Sequence, residues 1–315
     1  MIDKMQTTAK TIRIEHKVMG SLTTEQGDTV LSYTPGVSPD ADTLCAMTAE
    51  GVAEGHASWL LLPRGNGACI LHVQGVYTVF SGGLRSYATR AVYELSAADI
   101  DKAGGLVPVL PALRQMHPYK IRVPGSTPET MIPQVESHDL SQDAAALRLL
   151  MAYALVNQRR LFIRLGDDER QVGDEIRTSR RLTDLLAAVD SLPSSSRHRV
   201  GVAFSLEATE KGYRPLLTMM TVVAHLDPVE AWGDASENAV LVDWTDTRPA
   251  WPQELTERMC SDALQTLSCE VPDVKAPAPI PATRKFPVST ASSKRIRWII
   301  VLVLLILAVL AFLIS

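Results

Sequence analysis

The residues best placed to do chemistry in this chain are Asp167, Asp168 and Glu169, which follow the short apolar run 161–165 (LFIRL). Carboxylates just past the C-terminal end of a strand are where α/β folds set metal ligands and catalytic groups. Asp174 and Glu175 come soon after, so Asp167, Asp168 and Asp174 form the candidate catalytic set. The cation such oxygens would hold is Mg²⁺. A solvated acidic turn explains the same residues and is the preferred reading. Arg177, Arg180 and Arg181 then enter the next predicted helix at its N-terminal end, which the helix dipole makes unfavourable for cations. Pairing with the acidic loop accounts for them. The functional alternative is a surface that docks a partner or reads a phosphate.

Other constellations are weaker. Pro63-Arg64-Gly65-Asn66-Gly67 is rich in glycine but lacks the GxxxxGK[ST] order and lies between two predicted strands, so it reads as a turn. Phe80-Ser81-Gly82-Gly83 lacks the GxSxG spacing of a nucleophile elbow. The seven histidines are scattered, with no HExxH and no pair at metal-ligand spacing. His72, inside a predicted strand, reads as a packed residue. Cys45, Cys69, Cys260 and Cys269 form no CxxC. Residues 1–10 are polar and carry no signal-peptide core, so the thiols are expected to stay reduced. No cofactor and no metal are called for, and the preferred reading is not an enzyme.

The elements that would position these groups fall into two stretches. Residues 1–105 read as a β-rich domain with strands at 11–18, 29–33, 56–62, 68–80 and 87–95, a helix over 39–53 and a short helix over 96–103. Ser96 caps that short helix and Gly104-Gly105 stops it. Residues 106–140 are rich in proline and read as an irregular connection, with a buried strand around 120–123. Residues 141–271 read as a mixed α/β domain. Helices are expected over 141–158, 178–192 and 251–267, and strands over 161–165, 199–206, 216–224 and 239–244. The strand–helix–strand order favours parallel pairing of 161–165 with 199–206. The fold class is therefore mixed α/β with a β-rich N-terminal half, followed by one C-terminal transmembrane helix.

That last helix is expected over 298–314 (WIIVLVLLILAVLAFLI), seventeen residues without a charge. As a helix it spans roughly 26 Å, close to the hydrocarbon core of a bilayer. Lys294, Arg295 and Arg297 precede Trp298, and together they form the expected membrane interface. By the positive-inside rule the N-terminal body faces the cytoplasm, so the chain reads as a tail-anchored, single-pass protein. Residues 272–297 hold five prolines among Ala, Ser and Thr, the composition of a disordered, basic stalk. The chain carries −4 overall, with six cations and no acid after Asp273, which leaves −10 on the residues before. An acidic body on a basic stalk suits a lipid bilayer and a protein partner and argues against nucleic acid.

Five segments carry a family resemblance. LFIRL (161–165), RLTDLLAAVDSLPSSSRHR (181–199) and VGVAFSLE (200–207) resemble the middle region of the bacterial GTPase-associated protein 1 family. KVMGSL (17–22) with TVLSYTPGVSPD (29–40) is similar to that family's β-rich start. The resemblance implies a regulatory protein that accompanies a GTPase or other NTPase in a bacterial conflict or regulatory system, here at the inner membrane. It carries over no site residue. Two other functions fit the sequence: a membrane-tethered hydrolase or nucleotide-processing enzyme using 166–175, and an effector that perturbs membranes through its oligomerised tail.

Overall fold

The computed structural model describes residues 9–20, 29–47, 57–64, 67–80, 83–115, 129–133, 139–169, 179–208 and 214–269. The expected strand at 120–123, the stalk and the apolar run 298–314 lie outside them. Among the described residues no helix is long and apolar enough to cross a membrane.

The fold is mixed α/β and centres on one nine-stranded sheet. Its N-terminal portion is an antiparallel meander of β2 (Glu15–Gly20), β3 (Thr29–Tyr33), β4 (Ala57–Arg64), β5 (Gly67–Phe80) and β6 (Gly83–Ser96). Its C-terminal portion holds four parallel strands, β8 (Arg160–Leu165), β9 (Val202–Leu206), β10 (Val222–His225) and β11 (Ala239–Trp244). The spatial order is β11-β8-β10-β9-β4-β5-β6-β2-β3. Antiparallel pairing of β4 with β9 therefore joins the two stretches into one sheet. β8 and β9 are parallel, as expected of a strand–helix–strand unit, but β10 lies between them.

The sheet's position is written in its composition. β4 (ASWLLLPR) and β9 (VAFSL) sit mid-sheet and are apolar on both faces, as a strand covered on both sides must be. β2 alternates half-buried with buried residues, the pattern of a strand wet on one side. On one face a continuous core runs from Val18, Tyr93 and Leu95 in the meander, through Trp59 and Phe204, to Leu161 and Ile163 in the parallel portion. Helices α2 (Ala97–Ala103), α3 (Leu110–Gln115), α4 (Gln142–Val156), α5 (Arg180–Asp190) and α8 (Glu257–Cys269) supply residues to it. α1 (Asp40–Met47) packs on β6, and the Arg90 guanidinium donates to the Cys45 carbonyl at 3.3 Å.

Several boundaries differ from expectation. The strand expected over 11–18 is two, because Ile14 separates β1 (Ala9–Arg13) from β2, and β1 pairs instead with β7 (Glu129–Pro133) in a two-stranded sheet. The described part of the connection is ordered: a 3-10 turn at Val107–Val109 runs into α3. Pro108 and Pro111 fall in first turns, where a missing N–H leaves no bond unmade. Residues 216–217 belong to α7 (Arg214–Leu217), opened by Pro215, and not to the strand that follows. The last helix starts at Glu257 and not at 251, because Thr256 provides the cap, its Oγ1 accepting from the Met259 amide at 3.3 Å. After α5 a short α6 (Ser194–Arg197) follows Pro193. Ser96, Ser141 and Ser179 cap α2, α4 and α5 with their hydroxyl oxygens.

Candidate functional site at the C-terminal edge of the parallel strands

α5 packs its Leu182, Leu185, Leu186 and Val189 on the face that holds Leu161, Ile163 and Leu165. Phe162, alternating with these, points to the other face, where Trp232 of the 3-10 segment Val229–Ser236 meets it edge-on at 5.9 Å. The connection leaving β8 thus runs over one face and that leaving β10 over the other. Neighbouring strands whose connections part in this way leave a crevice at their C-terminal ends, the usual binding place of an open α/β sheet. The acidic loop sits at that place.

Asp167–Glu169 forms a 3-10 turn, closed by the Glu169 amide donating to the Gly166 carbonyl at 3.1 Å. Asp167 is exposed. Glu169 is engaged: its Oε1 accepts from the Ser179 hydroxyl at 2.6 Å and lies 3.4 Å from Nη1 of Arg181. Both side chains of that ion pair are only 12% exposed. Arg181 also donates from Nη2 to the carbonyls of Thr245 (3.3 Å) and Asp246 (3.2 Å), and its guanidinium lies 5.7 Å over the Trp244 ring. One arginine therefore ties the loops after β8 and β11 to the start of α5. Its place at a helix N-terminus is stabilised by the acidic-loop partner that the sequence suggested.

Ser205 adds strain at the same edge. Its φ is +59°, an uncommon value for a residue other than glycine, and it sits at the bulge where β9 shifts register against β10. Its hydroxyl donates to the Glu169 carbonyl at 3.3 Å, and its own carbonyl accepts from the Ser58 hydroxyl at 3.0 Å. The bulge thus braces the acidic turn from below.

Arg180 is placed differently. Its side chain is 79% exposed and reaches the buried carboxylates of Asp143 (3.4 Å) and Asp184 (3.5 Å). Asp184 also accepts from the Ser141 hydroxyl at 2.6 Å, so the starts of α4 and α5 are cross-linked. An open cavity of about 410 Å³ lies here, lined by Gln142, Asp143, Arg180, Thr247 and Arg248. Arg248 is exposed and has no ion pair with any described residue.

Of the residues singled out in sequence, Glu169 and Arg181 are brought together, with Ser179 beside them, and Arg180 faces the cavity. The side chain of Asp168, together with Asp174, Arg177, Lys294, Arg295, Arg297 and Trp298, lies outside what is described. Among the described residues no three His, Cys, Asp or Glu side chains cluster as a metal set. Cys45, Cys69 and Cys260 are buried and Cys269 is exposed, all four as free thiols. Burial pushes the Cys69 thiol up to about 12. His72 is buried and stacks on Trp59 at 4.0 Å, a packed histidine as expected. Sequence reasoning missed Arg248, an ordinary exposed arginine 67 positions from Arg181 that no local pattern marks. Comparison of the chain with protein-family models, with curated proteins and with solved structures gives no match.

Proposed function

We propose that this protein is a single-pass membrane protein whose sheet domain faces the cytoplasm and works as an interaction and regulatory module for an NTPase partner. The observation that carries the reading is the division of labour at the C-terminal edge. Arg181 and Glu169 are consumed in bracing the loops, whereas Arg180 and Arg248 stand exposed around an open cavity. Exposed arginines beside helix starts suit electrostatic docking of an acidic surface, setting encounter rate and register. The apolar run 298–314 after the cations Lys294, Arg295 and Arg297 supports the anchor and its orientation. The described residues fall within one compact unit, which supports a body separable from the anchor. The family resemblance puts an NTPase first among partners.

Two measurements test this. Full-length protein should sediment with membranes and resist alkaline extraction, and a form lacking 298–315 should be soluble and folded. A truncated form that stays with the membrane removes the anchor. Cross-linked full-length protein should capture a stoichiometric NTPase, and the double variant Arg180→Glu, Arg248→Glu should lose it. Capture unchanged by that variant removes the docking edge.

A second reading rests on the place of the acidic turn in the crevice between β8 and β10, where a hydrolase or nucleotide-processing site would stand. It requires Mg²⁺-dependent turnover of a nucleoside phosphate that Asp167→Asn abolishes. Absence of turnover in the full-length protein removes it.

A further inference from the structure

The face of the parallel strands turned away from α4, α5 and α8 carries two rows of side chains set by register. Val223, Phe162 and Leu241 are partners across β10, β8 and β11, and two residues on His225, Arg164 and Asp243 are partners across the same strands. Partners in a parallel sheet share a face, so an apolar row lies directly beneath a polar one. A cavity of about 250 Å³ opens over both rows, closed at one side by the start of the 3-10 segment with Val229 and Glu230.

Each polar group there has a defined state. The His225 ring is buried between Phe162 (5.4 Å) and Trp232 (5.6 Å). Its Nδ1 lies 2.6 Å from the Asp227 carbonyl, which only accepts, so Nδ1 carries the proton and Nε2 presents a lone pair. Burial holds the ring neutral, down to about 4, although the hydrogen bond to Asp227 opposes the shift. Nε2 makes no hydrogen bond with a described residue. Asp243 accepts from the Thr245 amide (2.9 Å) and hydroxyl (2.7 Å) through Oδ1, leaving Oδ2 without a hydrogen bond from a described residue. Those two bonds, with the Arg164 charge adding to them, hold its carboxyl below the usual range. Arg164 and Glu230 are exposed and make no ion pair among the described residues. Leu241 is 48% exposed on an edge strand, so the apolar floor is open to solvent.

The three surfaces ask for three features in one molecule. The exposed guanidinium of Arg164, whose charge also acts on Asp243 but which makes no ion pair among the described residues, calls for a carboxylate, which it binds in a fork. Two carboxylates and an imidazole lone pair call for an ammonium group. Phe162, Val229 and Leu241 call for an aliphatic or aromatic body. We propose that this cavity binds a small zwitterion with an apolar side chain, of the class of the free apolar α-amino acids. The cavity lies just below the usual size range of ligand pockets, which suits a molecule of that size. Binding here would set the position of the segment Val229–Ser236 through its contacts to the ligand and, through Trp232, to His225.

The test is calorimetry on the full-length protein in lipid nanodiscs, with free L-leucine and L-phenylalanine as probes. Isocaproate, which lacks the ammonium, and isoamylamine, which lacks the carboxylate, are the controls. The expected result is saturable binding of at least one amino acid, with each control weaker by about tenfold or more, the worth of one lost charged hydrogen bond. Arg164→Gln, at an exposed position that leaves the fold intact, is expected to weaken the amino acid by a similar factor, and Leu241→Lys to weaken it as well. Three results each overturn the proposal: no saturable heat with either amino acid up to about 10 mM, binding of both controls as tight as the amino acid, or binding unchanged in both variants.

Discussion

Replacing Asp190 with asparagine should stabilise this protein at neutral and alkaline pH. Asp190 ends α5, and its Oδ2 accepts from the amides of Leu106 (2.7 Å) and Val107 (3.1 Å). It therefore joins a helix over the parallel strands to the turn that precedes α3. Its Oδ1 is buried and receives no hydrogen bond from a described residue. Burial pushes the carboxyl from 3.8 up to about 6, outweighing the two amide donors and the nearby Arg197 charge. The sign follows from proton binding. Between pH 3.8 and about 6 the folded state holds a proton that the unfolded state has released, so stability falls as pH rises through that window. At about 1.4 kcal/mol per pH unit, the ionised carboxylate costs roughly 3 kcal/mol above the window. Asparagine keeps an oxygen for the two amides and removes the charge. Urea unfolding of the full-length protein in mild detergent, followed by tryptophan fluorescence, reads the difference. Asp190→Asn should exceed wild type by up to about 3 kcal/mol near pH 8, with the gap closing toward pH 4. A gap of the opposite sign, or one independent of pH, would refute the reasoning.

Three further outcomes follow from the same geometry. Gly105→Ala should destabilise by about 1–3 kcal/mol, because φ there is +119° and an added Cβ would stand 2.4 Å from the Asp190 carboxylate; the same urea curves check it. Ser141→Ala should cost about 1–2 kcal/mol, since its hydroxyl both accepts from the Ala144 amide to cap α4 and donates to Asp184; amide exchange in the first turn of α4 should rise with it. Arg181→Ala should cost about 2–4 kcal/mol by removing the cation paired with the half-buried Glu169 carboxylate, and Glu169→Gln introduced with it should recover part of the loss in a double-mutant cycle.

Local signals carried a good part of this fold. Where a cap or a turn residue acts on its neighbours, the sequence is enough: Ser96 and Gly104 bound α2, Ser141 begins α4, and the β-rich runs 29–33 and 239–244 mark β3 and β11 to the residue. Even the pairing of the acidic turn with Arg181 was readable, because cations at a helix start need a nearby anion. The prolines of 106–115 misled, because a proline in a first turn and a proline in a loop look alike without knowledge of where the turn begins.

Long-range pairing was not readable. That β4 meets β9, that β10 inserts between β8 and β9, and that β1 leaves the main sheet for β7 are choices among strands of similar apolar character. Each is decided by which faces must be covered together, a property of the whole core. The same holds for the chemistry. His225, Arg164 and Asp243 are far apart in the chain and ordinary in their local settings, and only the parallel register sets them side by side. The sequence determined caps, periodicities and the charge balance of its segments because these act over a few residues. The sheet order, the single core and the row of polar groups were left to the tertiary structure because they depend on contacts across many.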